Sequence, residues 1–202
     1  CIQWIENPSI EATHTLMNHK GVATVLATGG SSMVRAAYST GKPALGVGPG
    51  NVPCYFHKSC DLKQAVTDLI ISKSFDNGMI CASEQAAIVD KEIADEFRRL
   101  MEDGGCYFAD DDEIEKIASY CIDNTKGAVN SEIVGQSAKW IADRAGVKGV
   151  SEDTKILVCK IAGVGEQYPL SREKLSPVLG LLIADSTKMG IELAEKMIEF
   201  NG

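Results

Sequence analysis

The stretch Ser74-Phe75-Asp76-Asn77-Gly78-Met79-Ile80-Cys81-Ala82-Ser83-Glu84-Gln85 joins a helical pattern to a strand pattern and sets a cysteine in the joint. Upstream, Asp61 to Ser72 repeats apolar residues at 62, 65, 66, 69 and 70, the spacing of one helix face. Downstream, Gln85 to Val89 is a short apolar run that reads as a buried strand. The Asn77-Gly78 pair between them signals a turn, so Cys81 falls on a loop carried by two rigid elements. A thiolate is a strong nucleophile toward carbonyl carbon, and it forms more readily where backbone amides or a cation lower its pKa. Glu84 is the nearest carboxylate and no histidine is close in sequence. Composition alone favours a buried structural thiol at this position.

The alternation extends in both directions and predicts an α/β fold. Toward the N-terminus, Ile2 to Ile5 and Val22 to Ala27 read as strands, with a helix between them that Ser9 caps and that carries Ile10, Ala12, Leu16 and Met17. The second strand meets Thr28-Gly29-Gly30-Ser31-Ser32 and then a helix with Met33, Val34, Ala36 and Ala37. A strand that turns into a helix N-terminus is a common place for anion binding. Residues 42–53 are dense in Pro and Gly, exclude a regular helix and mark a domain crossover. Toward the C-terminus, helices are expected at 91–101, 110–123, 137–145 and 187–200, with strands at 155–160 and 178–184.

Twenty Lys and Arg against 28 Asp and Glu leave a formal charge of −8, which lacks the footprint of a nucleic-acid binder or a polybasic membrane anchor. No run approaches a membrane span, and no basic segment followed by an apolar one stands at the N-terminus. Seven scattered cysteines without a CxxC pair, and three histidines, support no metal site and suit buried thiols in a reducing compartment. His14, His19 and His57 read as surface or capping residues, Cys54 and Cys60 carry no further ligand spacing, and the acidic run 110–113 suits a helix start. Trp4 and Trp140 read as core or interface residues. The chain opens on Cys1 before apolar Ile2, Trp4 and Ile5 and closes on Asn201-Gly202, so it reads as a piece of a longer protein.

Four motifs in order carry a family resemblance. Phe75, Asn77, Gly78 and Cys81 resemble the active-site signature of the aldehyde dehydrogenase superfamily. Ala27-Thr28-Gly29-Gly30-Ser31-Ser32 is similar to that family's turn beside the nicotinamide and pyrophosphate, which implies cofactor contacts for Thr28, Gly29, Gly30 and Ser31. Leu45 to Pro53 occupies the place of a Glu-Leu-Gly-Gly-Lys-x-Pro motif, and Glu173-Lys174-Leu175-Ser176-Pro177 resembles Glu-x-Phe-Gly-Pro, whose Glu binds the nicotinamide ribose in the family, a role the resemblance implies for Glu173. The family's Phe-Gly is Leu175-Ser176 in this chain.

The resemblance implies a remnant of a Rossmann-type NAD-binding domain over residues 1–52 and a catalytic domain over 53–202. Residues 43–53 hold no acid, so the water-activating Glu of hydrolytic members is missing. That departure points to the CoA-acylating branch, as in the acetaldehyde dehydrogenase part of bifunctional aldehyde-alcohol dehydrogenases. The implied reaction is oxidation of acetaldehyde with NAD through a Cys81 thioester that coenzyme A accepts, and its reverse. The cysteine's own amide would supply half of the oxyanion hole, the other half being an upstream Asn outside the chain. A microcompartment propionaldehyde dehydrogenase is the neighbouring enzyme reading, and an inert assembly module the non-enzymatic one. Family members also suggest a cytoplasmic homo-oligomer with no metal.

Overall fold

The computed structural model describes residues 2–123 and 127–201, so Cys1 and Gly202 lie outside the described residues. The chain forms an α/β fold divided after Pro49 into two compact units. The first holds helix α1 (Ile10–Asn18), strand β1 (Val25–Thr28), helix α2 (Ser31–Tyr38) and strand β2 (Ala44–Val47). Strands β1 and β2 pair in parallel, with Val25 opposite Ala44 and Thr28 opposite Val47, as a strand-helix-strand crossover requires. Ser9 Oγ accepts the Ala12 N–H at 3.0 Å and caps α1. Gly46 lets α2 cross β2 closely, because a Cβ there would stand 2.5 Å from Val34 Cγ1.

The reading of residues 2–5 fails. Residues 2–5 form no strand, and Ile2 and Trp4 are 97% and 83% exposed, so Trp4 is not a core residue. Apolar, β-branched composition makes a strand only where a partner completes its ladder, and none lies beside these residues among those described. The Pro- and Gly-rich stretch 42–53, where a regular helix is excluded, supplies β2 and the start of the next strand, and the two units divide within it.

The second unit runs through β3 (Val52–Phe56), α3 (Leu62–Ser74), β4 (Glu84–Asp90), α4 (Ala94–Asp103), β5 (Cys106–Phe108), α5 (Asp111–Cys121), β6 (Ile122–Asp123) and β7 (Ala128–Val129). It continues through α6 (Ala138–Ala145), β8 (Ile156–Lys160), β9 (Val178–Ala184) and α7 (Thr187–Asn201). Five strands make a parallel sheet in the order β3-β4-β9-β8-β5, and β6 and β7 pair separately as a short antiparallel hairpin. Pro53 is tolerated because β3 is an edge strand, and the register shifts between Val52 and Pro53.

Alternate residues of β4 build the two halves of the core. Ala87 and Val89 meet Val66, Leu69 and Ile70 of α3 and Phe97 of α4, whereas Ala86 and Ile88 belong with Ile117 of α5, Ile141 of α6 and Met197 of α7. Helices cover both faces, which explains why β8 and β9 read as unbroken apolar runs. Asp61 caps α3 through the Gln64 N–H, Asp110 and Glu113 form a reciprocal capping box on α5, and Gly146, at φ 80°, closes α6.

Candidate active site

Strands β3, β4 and β9 are neighbours and run parallel, so the loops that enter them stand side by side at one edge of the sheet. These are the Gly50-Asn51 segment, the 75–83 loop that carries Cys81, and the 172–177 loop that carries Glu173.

The 75–83 loop is the most constrained of them. Asp76, Asn77 and Gly78 are consecutively left-handed, at φ 49°, 51° and 67°. That conformation is costly for residues with a Cβ, and Asp and Asn tolerate it best among them. Gly78 has no substitute, since a Cβ would lie 2.7 Å from Ser176 O and 3.1 Å from Lys73 O. The Asn77 side-chain amide donates to Gly135 O at 2.9 Å, and the Gly135 N–H donates to Leu175 O at 3.2 Å. Leu175 is itself left-handed at φ 45°. Two distant loops therefore hold the approach to Cys81. The thiol-bearing residue is exposed within a turn closed by Ser83 N–H to Ile80 O at 2.9 Å, among the exposed apolar residues Phe75, Met79 and Ile80.

Cys81 differs from the other described cysteines in exposure, and burial makes that difference chemical. Desolvation, aided by Glu84 and Cys60, pushes the Cys54 thiol up to about 11, and desolvation pushes Cys106 and Cys121 up to about 12. Burial raises Cys159 as well. Cys60 is partly buried.

Gly50 passes close to Cys81, because a Cβ on it would stand 3.2 Å from Cys81 O. Its N–H donates a long bond, 3.4 Å, to Glu173 Oε1. Asn51 is buried, and its amide donates at 2.9 Å to Ser171 O and to Met197 O. Half-burial raises the Glu173 carboxyl above its ordinary value, and the Gly50 N–H and two lysines pull it back. The other nearby carboxylate, Glu84, accepts from Ser72 Oγ at 2.9 Å.

Thr28 ends β1, and the Gly29 N–H donates to Val47 O at 3.1 Å. Gly30 occupies the N-cap of α2 and Ser31 opens that helix, with no side chain capping it. A Cβ on Gly30 would meet nothing within 4 Å. A helix start with no side-chain cap suits an anionic phosphate.

Sequence reasoning missed the buried polar residues beneath the thiol loop. Lys174, with no exposure, donates from its backbone N–H to Gln85 Oε1 at 2.9 Å. Its Nζ donates to Gln85 O at 3.0 Å and to Leu170 O and Arg172 O at 2.7 Å each. Lys73, equally buried, extends the apolar stripe of α3 beyond Leu69 and Ile70, a position that periodicity marks as internal. Among the described residues no group of three His, Cys, Asp or Glu side chains is arranged to hold a metal ion.

The sequence profile of the aldehyde dehydrogenase family matches residues 1–104. An aldehyde-alcohol dehydrogenase 2 of Entamoeba histolytica is 54% identical over all of this chain and 24% of its own length. The chain thus spans about a quarter of the length of the aldehyde-alcohol dehydrogenases it matches. An acetylating aldehyde dehydrogenase of Geobacillus thermoglucosidasius, 46% identical, aligns with a TM-score of 0.92 over 96% of this chain and 42% of its own. A propionaldehyde dehydrogenase of Rhodopseudomonas palustris, solved with propionyl-CoA, aligns at 0.86 with 31% identity over 96% of this chain and 42% of its own. With its profile matched over half the chain and its fold shared with these enzymes, this chain belongs to the aldehyde dehydrogenase family.

Proposed function

We propose that this chain carries the thiol half-site of an NAD-dependent, CoA-acylating aldehyde dehydrogenase whose nucleophile is Cys81 and whose best substrate is acetaldehyde. The observation that carries the reading is the pairing of an exposed thiol on a pinned loop with a neighbouring segment, 43–53, that passes its carbonyl at Gly50 and holds no acid. Among the described residues, the carboxylates at hand already accept hydrogen bonds, Glu84 from Ser72 and Glu173 from the Gly50 N–H. A thiol needs less help than water, because it is a good nucleophile in its own right.

Cys81 adds to the aldehyde carbon and forms a hemithioacetal, and its backbone N–H is one donor to the oxyanion. When bound, the nicotinamide supplies the acceptor for the hydride that leaves that carbon. The carbon stays bonded to Cys81 as a thioester, coenzyme A thiolate attacks it, and Cys81 departs as thiolate. Thr28, Gly29, Gly30 and Ser31 would receive a phosphate or amide of the cofactor through the open N-terminus of α2. Glu173 would accept hydroxyl donors of the ribose. The relatives named as acetylating enzymes support the acyl acceptor. The propionaldehyde dehydrogenase neighbour keeps a three-carbon aldehyde as the second reading.

NADH formation by the intact protein, with and without coenzyme A, and by its Cys81→Ser variant, tests the proposal. Turnover should need both the thiol and coenzyme A. Sustained turnover without coenzyme A, or with Cys81→Ser, would overturn it, and relative rates with acetaldehyde and propionaldehyde separate the two substrates.

A further inference from the structure

Lys73 and Lys174 are both wholly buried, yet they differ completely in their partners. The Lys174 Nζ has three carbonyl acceptors, and only an ammonium has three hydrogens to satisfy them. The Lys73 Nζ has no hydrogen-bond partner among the described residues. An ammonium in that position would be a bare buried charge, whereas a neutral amine loses far less on leaving water. The charged groups facing Lys73 are Lys174 and Glu173 on the 172–177 loop and Glu84 at the start of β4; those facing Lys174 are Lys73, Glu173, Cys121 of α5 and Cys159 of β8. Desolvation, with Lys174 adding to it, holds Lys73 well below the usual lysine range, and burial draws Lys174 down to about 7.

The pair is mechanically tied to the thiol loop. Lys73 is the penultimate residue of α3, and its carbonyl lies against Gly78, as does that of Ser176, two residues beyond Lys174. A shift of the Lys73 backbone therefore bears on the left-handed run 76–78, which has no slack toward Ser176.

We propose that Lys73 makes the placing of Cys81 sensitive to acid: it is held as a free amine, so that from neutral pH downward a single ammonium, that of Lys174, stands behind the loop until acid adds a second proton. Acid forces a second proton onto the pair. Lys73 must then leave its site to find solvent or an acceptor, and the 75–83 loop moves with it. The thiol's competence thus falls in acid in concert with the charge state of a lysine that never touches substrate. This inference rests on Cys81 as the nucleophile, but its test reads the loop independently of turnover.

Cys81 alkylation, mapped by peptide mass spectrometry across pH in the intact protein and in Lys73→Met, is the first arm. Lys73→Met removes the proton site while keeping the bulk. Below neutral pH, Cys81 alkylation in the parent should fall more steeply than the roughly tenfold per pH unit that loss of thiolate imposes on any thiol, and the variant should lose that extra fall, with its rate at neutral pH within about twofold of the parent. Superimposable acid limbs, or a folded variant whose Cys81 is slow at every pH, would overturn the assignment. The second arm needs no variant: amide exchange in the native protein, corrected for intrinsic rates, should show protection lost at 75–83 in acid while β4 and β9 keep theirs. Unchanged protection at 75–83 would equally sink the proposal. A failed role for Cys81 as nucleophile would show instead as turnover that survives Cys81→Ser, which neither arm measures.

Discussion

The turn at Thr28 to Ser31 and the loop at Phe75 to Ser83 both join a helix to a strand, and both hold residues with a proposed part in the reaction, yet they are built on opposite terms. Around Gly30 there is open space, its φ is an ordinary −63°, and no side chain caps the helix it starts. Around Gly78 there is none: main-chain atoms of two other segments occupy the place of a Cβ, and three successive residues take left-handed φ values. A group that receives a mobile ligand needs vacant donors, whereas a nucleophile needs a fixed position. Under the proposed roles, the contrast follows from that division of labour.

Gly78→Ala should break the contrast most visibly. Its methyl would meet Ser176 O at 2.7 Å at a positive φ, so the variant should lose about 3 kcal/mol or more in denaturant unfolding and most of its Cys81 reactivity. An unchanged melting midpoint would mean that the loop is less confined than its contacts imply.

The pH dependence of stability sharpens the comparison, because two buried lysines lie against the thiol loop and its neighbouring segment. Lys73 and Lys174 have lowered pKa values when folded, so between about 7 and the ordinary lysine value of 10.5 the unfolded chain binds more protons than the folded one. Stability should therefore rise with pH there, by up to about 1.4 kcal/mol per unit for each lysine. The thiols act oppositely. Cys54, Cys106 and Cys121 stay protonated in the fold up to about 11 to 12, whereas the unfolded chain ionises from 9.0, so stability falls above that value. Chemical unfolding at fixed ionic strength should show a maximum at about pH 8 to 9, set by these opposed groups. A maximum near pH 5 would contradict the assigned charge states.

Gly30→Ala should have the smallest effect on folding. With nothing within 4 Å and a permissive φ, it should change stability by about 0.5 kcal/mol or less, while NAD affinity, read by calorimetry on the intact protein, weakens. A large loss of stability would erase the distinction between the two regions.

Much of the architecture was readable because burial on a sheet or helix repeats at a fixed period. The strand 178–184 and the helices beginning near Asp61 and Ser137 follow from apolar runs, and the helix start at Ser9 from capping chemistry. Residues 2–5 misled because strand composition does not supply a strand partner, and β3 hid behind Pro53, which only its edge position permits. The position of Cys81 between helix and strand was legible too, as was the Asn-Gly turn. What confines it was not, since Gly135 and Ser176 lie far along the chain and reach it only through tertiary contact. Lys73 left a trace, standing where the α3 stripe calls for an apolar residue, whereas nothing in the order of residues pairs it with Lys174.

The central claim is that the acyl group rests on Cys81 before a thiol removes it. Acid quenching of the intact protein with acetaldehyde and NAD, in the absence of coenzyme A, followed by peptide mapping, tests it most directly. The account predicts an acetyl thioester on the peptide bearing Cys81, which disappears when coenzyme A is added before the quench. An acyl group on another residue, or NADH release with no adduct on Cys81, would contradict it.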